Sequence, residues 1–259
     1  MYKTATALML VMLTTAAGAE EIRIGSSADY PPWESVDAAG QIVGFDKDFG
    51  DEVCKRIAAD CVWQNQSFDG LLPGLQIGRF DAVISAVSIT DERAQKVDFS
   101  TAYADAPNAF VVPAGSAAAG ATSVADLKTQ LGSATVGVQT GTTHEQALRA
   151  NFPDATLKIY DRTDQIADDL VAGRLDAGLM ERASWEPLVA ERGADKLVYA
   201  GPLLSSADFV ELGQGQGIAL GKGKDDLKKR IDDAITAMRA DGSIKAMSEK
   251  WFGYDISKQ

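Results

Sequence analysis

Apolar runs alternate with segments of helical periodicity through the first hundred residues. The apolar runs predict strands at 21–25, 61–64 and 80–84. Between the first two strands, large apolar residues recur at every fourth position from Phe45 to Ile57 and predict one face of a helix. A second helix is predicted after Ser67, where leucines follow at 71, 72 and 75. Strands that alternate with helices in this way predict an open parallel sheet.

A second strand–helix series follows a strand-like run at 110–112. Strands are predicted at 135–138, 157–160 and 177–180, with a helix through Ile166 and Leu170 between the last two. The sequence Gly-Arg-Leu-Asp-Ala before the last strand repeats the Gly-Arg-Phe-Asp-Ala that precedes the strand near residue 82. This repeat indicates two lobes of similar build. Near the C-terminus, apolar positions from Leu227 to Met238 predict an amphipathic helix, followed by a shorter one.

The N-terminus has the pattern of a secretory signal. Lys3 supplies the positive charge, 5–13 the apolar run and 17–19 the small residues of a cleavage site. The apolar run is shorter than the roughly 20 residues that cross a bilayer. We therefore expect export, with cleavage after Ala19.

Charge and composition exclude one class of partner. The full chain has a formal net charge of −12, and loss of residues 1–19 removes Lys3 and no acid, which leaves −13. A protein this acidic lacks the basic face that nucleic acid requires, so we expect no nucleic-acid partner. The remaining length suits two modest domains or one large one.

The chain has two cysteines, Cys54 and Cys61, and one histidine. These are too few ligands to favour a metal centre, and we expect neither a metal nor a cofactor. In an exported protein, two cysteines usually form a disulfide. Seven residues of continuous helix rise about 10.5 Å, which is too far for a bridge. If the cysteines pair, the helix must end between them, near 58–60.

The segment 85–93 is the strongest candidate for ligand chemistry. It follows a predicted strand, and Ser88 or Thr90 can cap a helix that begins there. Arg93 then lies where strand gives way to helix, a common position for ligand sites in open α/β sheets. Its planar guanidinium suits a small carboxylate. The alternative is a surface arginine that pairs with Asp91 or Glu92.

Two further segments carry candidate chemistry in the second half. Thr142 and Glu145 have the spacing of a capping box, and the helix N-terminus there suits an anion. The alternative is an ordinary helix cap. Glu181 follows a predicted strand and could bind an ammonium group. The alternative is a solvated charge beside Arg182.

Eight short motifs occur in order along the chain, and together they carry a family resemblance. The sequence resembles the periplasmic solute-binding proteins of polar amino acid ABC importers, especially the lysine/arginine/ornithine-, histidine- and opine-binding members. The resemblance covers nearly the whole chain after the signal. The motifs are Tyr-Pro-Pro-Trp at 30–33, Val-Gly-Phe-Asp at 43–46, the cysteine pair, Phe-Asp-Gly-Leu at 68–71, and the segments 85–93, 136–143, 172–177 and 238–242.

The resemblance implies an α/β fold of the two-lobed, Venus flytrap type, with two doubly wound sheets joined by a two-strand hinge. Lobe 1 is expected to comprise 20–105 and 216–259, and lobe 2 to comprise 108–209. The hinge is expected near 105–108 and 210–215. The resemblance also implies a disulfide between Cys54 and Cys61.

By resemblance, the backbone ends of an amino acid are held by residues from both lobes. Arg93 is similar to the arginine that grips the α-carboxylate, and Thr143 to the residue whose backbone N–H supports it. Ser88 is expected to contribute a backbone N–H to the carboxylate and its hydroxyl to the ammonium, with Ser85 nearby in lobe 1. Glu181 stands where the family usually has an aspartate for the α-ammonium.

The same resemblance assigns the ligand side chain to lobe 1. Tyr30 and Phe68 are similar to residues that sandwich it. Asp46 is expected to face the distal end of a basic side chain, directly or through water. The alternative for Asp46 is a helix N-cap.

Several positions depart from the better-known members. Ser27 replaces the aspartate that binds the distal cation in the lysine/arginine/ornithine binders, and Asp29 lies two residues away. Ala86 replaces a serine, while Gln139 and His144 are polar where other members differ. We count these five as further pocket positions. A basic amino acid is favoured, with an opine or another polar amino acid derivative as the alternative.

The implied function is the periplasmic binding component of an ABC transporter. It would capture an amino acid in the cleft between the lobes and deliver it to the membrane subunits of a permease. A monomer that is not an enzyme is expected. The alternative is a dehydratase built on the same fold, which acts on a substrate of the prephenate or arogenate type with Glu181 and His144 as acid and base.

Overall fold

The computed structural model describes residues 19–258. The predicted signal, residues 1–19, lies outside this range except for Ala19. The helices are α1 Phe45–Arg56, α2 Phe68–Gln76, α3 Asp91–Lys96, α4 Val124–Leu131, α5 Thr143–Asn151, α6 Thr163–Val171, α7 Arg182–Arg192, α8 Asp225–Ala240 and α9 Ser243–Phe252. The strands are β1 Glu20–Ser26, β2 Asp29–Tyr30, β3 Glu34–Val36, β4 Ile42–Val43, β5 Ala59–Asn65, β6 Ala82–Val83, β7 Asp98–Phe99, β8 Asn108–Pro113, β9 Thr135–Gln139, β10 Thr156–Tyr160, β11 Ala177–Glu181, β12 Leu197–Leu204 and β13 Ala219–Leu220.

Two five-stranded sheets organise the chain, as the two strand–helix series predict. Their strand orders are β5-β1-β6-β13-β7 and β10-β9-β11-β8-β12. In the first, β1 pairs in parallel with β5 and β6, and in the second, β9 pairs in parallel with β10 and β11. The α/β class is confirmed.

The expectation of purely parallel sheets is wrong for the remaining strands. β13 runs antiparallel to both β6 and β7, and β8 runs antiparallel to both β11 and β12. The chain enters the second sheet through β8, and it returns to the first sheet through β13. Apolar periodicity predicts that a strand exists, but it does not predict the direction of the strand.

The two sheets are connected by segments that run side by side. Gln216, on the return of the chain to the first sheet, forms antiparallel bridges with Ala104 and Ser88. The first sheet draws its strands from 20–99 and 219–220, and the second draws its strands from 108–204. The expected hinge near 105–108 and 210–215 falls between these ranges.

The cysteine pair is joined as expected. Helix α1 ends at Arg56, the chain turns at Ala58 with φ of 54°, and β5 begins at Ala59. The Cα atoms of Cys54 and Cys61 are therefore 6.1 Å apart, and a disulfide joins them. The predicted end of the helix between the two cysteines is confirmed.

A small antiparallel sheet, β2-β3-β4, precedes α1. Tyr30 lies on β2 and pairs across the hairpin with Glu34 on β3. The hairpin packs over an aromatic cluster in which Trp33, Phe45 and Phe252 meet edge to face. This packing holds Tyr30 and Glu34 against the space between the two sheets.

The C-terminal helices match the sequence pattern. The apolar face of α8, from Leu227 to Met238, is buried, and α9 ends at Gly253 in a left-handed conformation. Within residues 19–258, no helix is both long and apolar enough to cross a membrane.

Candidate functional site

A cavity lies between the two sheets. It is bordered by the C-terminal ends of β1, β6, β9 and β11 and by the first turns of α2, α3, α5 and α6. Open α/β sheets bind ligands at this edge. The predicted site residues on its wall are Ser27, Asp29, Tyr30, Phe68, Ser85, Ala86, Ser88, Arg93, Gln139, Thr143, His144 and Glu181.

Arg93 presents a buried cation at one end of the cavity. Thr90 caps α3 by accepting a hydrogen bond from the Arg93 backbone N–H at 3.2 Å, so the arginine lies in the first turn. Its Nη1 donates to the Ser88 carbonyl at 2.9 Å and its Nη2 to the Gly141 carbonyl at 3.1 Å. Burial lowers the pKa of Arg93 to about 10, which leaves it charged at neutral pH.

The alternative of a surface ion pair is wrong for Arg93. The side chain is buried, and Glu92 pairs with Lys96 at 2.9 Å instead. No carboxylate within 19–258 forms a salt bridge with Arg93. A buried guanidinium that only carbonyl groups contact retains its full attraction for an anion.

The N-terminus of α5 faces Arg93 from the second sheet. Thr142 caps this helix by accepting from the Glu145 N–H at 3.2 Å, and Thr143 is its first residue. The amides of the first turn have no partner within the helix, so they can bind an anion. The hydroxyls of Thr143 and Ser88 lie 3.4 Å apart across the cavity. The predicted capping box is only half formed, because the Glu145 carboxylate accepts from the Gly141 N–H instead.

Glu181 places a carboxyl group in the middle of the cavity wall. It is the last residue of β11 and is buried, so the alternative of a solvated charge is wrong. Tyr30 donates its hydroxyl to Oε2 of Glu181 and accepts from the Glu181 backbone N–H at 3.0 Å. Burial raises the pKa of Glu181 to about 8. Arg182 points elsewhere, over the ring of Tyr199.

His144 is a neutral neighbour of this carboxyl group. Its Nε2 lies 2.7 Å from Oδ1 of Asn108 and 3.4 Å from Oε2 of Glu181. Asn108 donates its amide to the Leu204 carbonyl at 3.3 Å, which turns Oδ1 towards the imidazole and makes Nε2 the donor. Burial, followed by the positive charge of Arg93, lowers the pKa of His144 to about 3.

Glu34 is a wall residue that sequence reasoning missed. Its Oε1 accepts from the Ser85 hydroxyl at 2.7 Å, and its Oε2 is buried without a hydrogen-bond partner in the described part of the chain. Burial, followed by the negative charge of Asp46, raises the pKa of Glu34 well above its usual range. Its position four residues after Tyr30, across a tight hairpin, is the signal that could have revealed it.

Asp46 does not lie on the cavity wall. Its Oδ2 accepts from the Ala86 N–H at 2.6 Å, and its Oδ1 accepts from the Tyr103 hydroxyl at 2.9 Å. The N-cap of α1 is Gly44, so the alternative role as a helix cap is wrong. Asp46 instead supports the backbone of Ala86, which has a left-handed φ of 45°.

Asp29 closes the far end of the cavity together with residues of the second sheet. Its Oδ1 accepts from the Ser27 hydroxyl at 2.8 Å, and its Oδ2 accepts from Nε2 of Gln139 at 3.2 Å. Thr163 donates its hydroxyl to the Asp29 carbonyl at 2.9 Å. Burial raises the pKa of Asp29. Phe68, the first residue of α2, lies 5.8 Å from the Arg93 guanidinium.

The chain is similar along almost its full length to bacterial amino-acid-binding proteins. It is 36% identical over 255 residues to the L-arginine-binding protein of Pseudomonas aeruginosa, which covers 97% of this chain and 95% of the relative. It is 33% identical over 256 residues to the lysine/arginine/ornithine-binding periplasmic protein of Escherichia coli. This similarity covers 96% of this chain and 95% of the relative.

A solved structure shares both the fold and the sequence similarity. An ancestral arginine-binding protein bound to arginine superposes with a TM-score of 0.81 at 32% identity, over 91% of this chain and 100% of that one. The two-lobed architecture expected from the sequence is thereby confirmed. A family model matches residues 22–254. The chain therefore belongs to the bacterial extracellular solute-binding proteins, family 3.

Proposed function

We propose that this protein is the periplasmic amino-acid-binding component of an ABC transporter and that its ligand is a basic amino acid, with arginine the first candidate. One observation carries the proposal. One cavity is lined by the buried guanidinium of Arg93, which has no carboxylate partner among residues 19–258, and by the buried carboxyl groups of Glu181 and Glu34. These charges complement the carboxylate, the ammonium and the distal cation of a basic amino acid.

The α-carboxylate of the ligand would lie between Arg93 and the first turn of α5, where Thr143 and Ser88 face each other. The α-ammonium would lie at Glu181. Hydrogen bonds to charged groups contribute roughly 1.5–3 kcal/mol each. A few of them reach the about −8 kcal/mol of micromolar binding after the cost of ordering is subtracted.

The distal cation would bind at Glu34, with Ser27 and Asp29 beyond it. Tyr30 and Phe68 would flank the aliphatic part of the side chain. Glu34 takes the role expected of Asp46, because Glu34 lines the cavity, whereas the two carboxylate oxygens of Asp46 are held by Ala86 and Tyr103. The relatives named for arginine and for lysine, arginine and ornithine support a basic ligand over an opine.

Transport follows from the placement of these groups on two lobes. Arg93, Ser88, Tyr30 and Glu34 belong to the segments of the first sheet, whereas Thr143 and Glu181 belong to those of the second. A ligand that contacts both sets favours the closed state over the open one. We propose lobes at 20–105 with 216–259 and at 108–209, a hinge near 105–108 and 210–215, and delivery of the ligand by the closed monomer to a permease.

Export to the periplasm completes the proposal. The Escherichia coli relative is a periplasmic protein by name, and we propose cleavage of the signal after Ala19. Both relatives are named for binding and not for catalysis, which favours transport over the dehydratase alternative.

A thermal-shift screen tests the function. The purified protein is heated with arginine, lysine, ornithine, histidine, glutamine and opines in turn, since a ligand of the native state raises the melting temperature. We expect the largest shift with a basic amino acid. Consumption of prephenate or arogenate, with no shift by any amino acid, would establish the dehydratase instead.

A further inference from the structure

A second, solvent-open pocket lies directly beyond the distal end of the cavity. It shares two wall residues, Ser27 and Asp29, with the inner cavity. We call it the outer pocket. The rest of its wall comprises Ala28, Asn65, Gln66, Ser67, Asp161 and Arg162.

The boundary between the two spaces is a short chain of hydrogen bonds. Ser27 donates to Asp29, whose other carboxylate oxygen accepts from Gln139 at 3.2 Å. The same Gln139 amide donates to the Asp161 carbonyl at 3.0 Å. Gln139 lines only the inner cavity and Asp161 only the outer pocket, so this contact separates the two.

The boundary is assembled from both lobes. Ser27 and Asp29 follow β1, while Gln139 ends β9 and Asp161 follows β10. Ser27 and Gln139 are both buried, and Asp29 between them is half-buried. The boundary therefore joins the two lobes.

We propose that the Asp29–Gln139 contact sets the maximum length of the ligand side chain, and that the outer pocket accepts basic amino acids with an extended side-chain terminus once this contact is removed. The proposal rests on the proposed function, because it assumes that the ligand side chain points from Glu181 towards Asp29. A terminal substituent longer than the inner cavity either prevents the contact or is excluded by it.

The outer pocket suits a polar or small aliphatic extension. Asn65, Gln66 and Ser67 offer neutral hydrogen-bonding groups, and Arg162 is already paired with Asp164 at 3.1 Å. An alkylated guanidinium retains the positive charge for Glu34 while its substituent projects beyond Asp29. Nω-Propyl-L-arginine has this form and is the probe of choice.

The test compares the dissociation constants of arginine and Nω-propyl-L-arginine by calorimetry. We expect wild type to prefer arginine, and Gln139→Ala to reduce that preference at least about tenfold, the scale that one extra or missing methylene produces in a pocket. Gln146→Ala is the matched control. It also removes a glutamine hydrogen bond between the lobes, to Glu92 at 3.0 Å, but far from the boundary.

The possible results distinguish failure of the length limit from failure of the proposed function. An unchanged preference in Gln139→Ala that still binds arginine overturns the length limit alone. Absence of binding of any basic amino acid to wild type overturns the proposed function and the length limit with it. An equal change of preference in Gln146→Ala also overturns the length limit, because it assigns the effect to weaker closure. If Gln139→Ala does not fold, Asp29→Ala opens the same boundary from lobe 1.

Discussion

Glu181 is a buried carboxyl group whose proton we expect to control ligand affinity. Burial between the lobes raises its pKa to about 8, so the closed form without ligand holds it protonated at mildly acidic pH. An ammonium group at hydrogen-bond distance favours the ionised carboxylate, because opposite charges attract most strongly when little water intervenes. Binding of an amino acid to this form therefore releases a proton from Glu181 at pH values between the lower pKa of the complex and about 8.

The magnitude follows from the distance between the pH and the pKa. Removal of the proton costs about 1.36 kcal/mol for each pH unit below the pKa. With a pKa of about 8, affinity at about pH 6 is lower than its plateau value by roughly 3 kcal/mol, on the order of a hundredfold. Burial also raises the pKa of Glu34, so we expect this residue to release a further proton to the solvent when a basic ligand binds. The contribution of Glu181 is therefore the difference in proton release between wild type and Glu181→Gln.

The assay is calorimetric titration with arginine in buffers of different ionisation enthalpy, which counts the protons released on binding. At about pH 6.5, we expect wild type to release about one proton more than Glu181→Gln, and this difference to disappear at about pH 9. The affinity advantage of wild type should accordingly grow with pH. Equal proton release by the two proteins at about pH 6.5 refutes the reasoning.

Three further predictions concern the same charges. Arg93→Ala should abolish the thermal shift caused by arginine, whereas Arg79→Ala, an exposed arginine away from the cavity, should retain it; a retained shift in Arg93→Ala contradicts the carboxylate role. Glu34→Gln should weaken the binding of arginine at least about tenfold more than the binding of glutamine, because only arginine has a distal cation. Equal losses of affinity for the two ligands, measured by calorimetry, would show that Glu34 is not part of the distal site. The ligand-free protein should lose stability as the pH rises from about 4.5 to about 8, because Glu181 ionises at lower pH in the unfolded chain than in the folded protein, where its pKa is raised. Urea unfolding measures this loss, and a free energy of unfolding that falls as steeply with pH in Glu181→Gln as in wild type contradicts the prediction.

Local sequence pattern identified most of the cavity wall because its residues occur in recognisable positions. Arg93 follows a strand and a threonine cap, Thr143 begins a helix, and Glu181 ends a buried strand. In an open α/β sheet these positions converge on one edge. Their burial was not predictable, because the opposite lobe covers them through contacts between residues distant in sequence, such as Arg93 with Gly141 and Tyr30 with Glu181.

The assignment of the distal carboxylate failed for a tertiary reason. Asp46 and Glu34 are both acidic, and both lie close in sequence to the aromatic core of the first lobe. Which of them faces the cavity depends on the hairpin of β2 and β3 and on the path of the backbone at Ala86, which uses the Asp46 carboxylate for its own support. Neither feature produces a periodic signal in the sequence.

The hairpin that pairs Tyr30 with Glu34 has a consequence for the evolution and engineering of this site. Tyr30 contacts the carboxyl group of Glu181, for which we propose ammonium binding, and Glu34 is the proposed distal carboxylate, yet both side chains leave paired positions of one two-stranded ladder. A slip of one residue in that ladder would turn both away together. Recognition of the head group and recognition of the side chain are thus inherited as one unit, and a graft of residues 29–36 would transfer both in a single exchange.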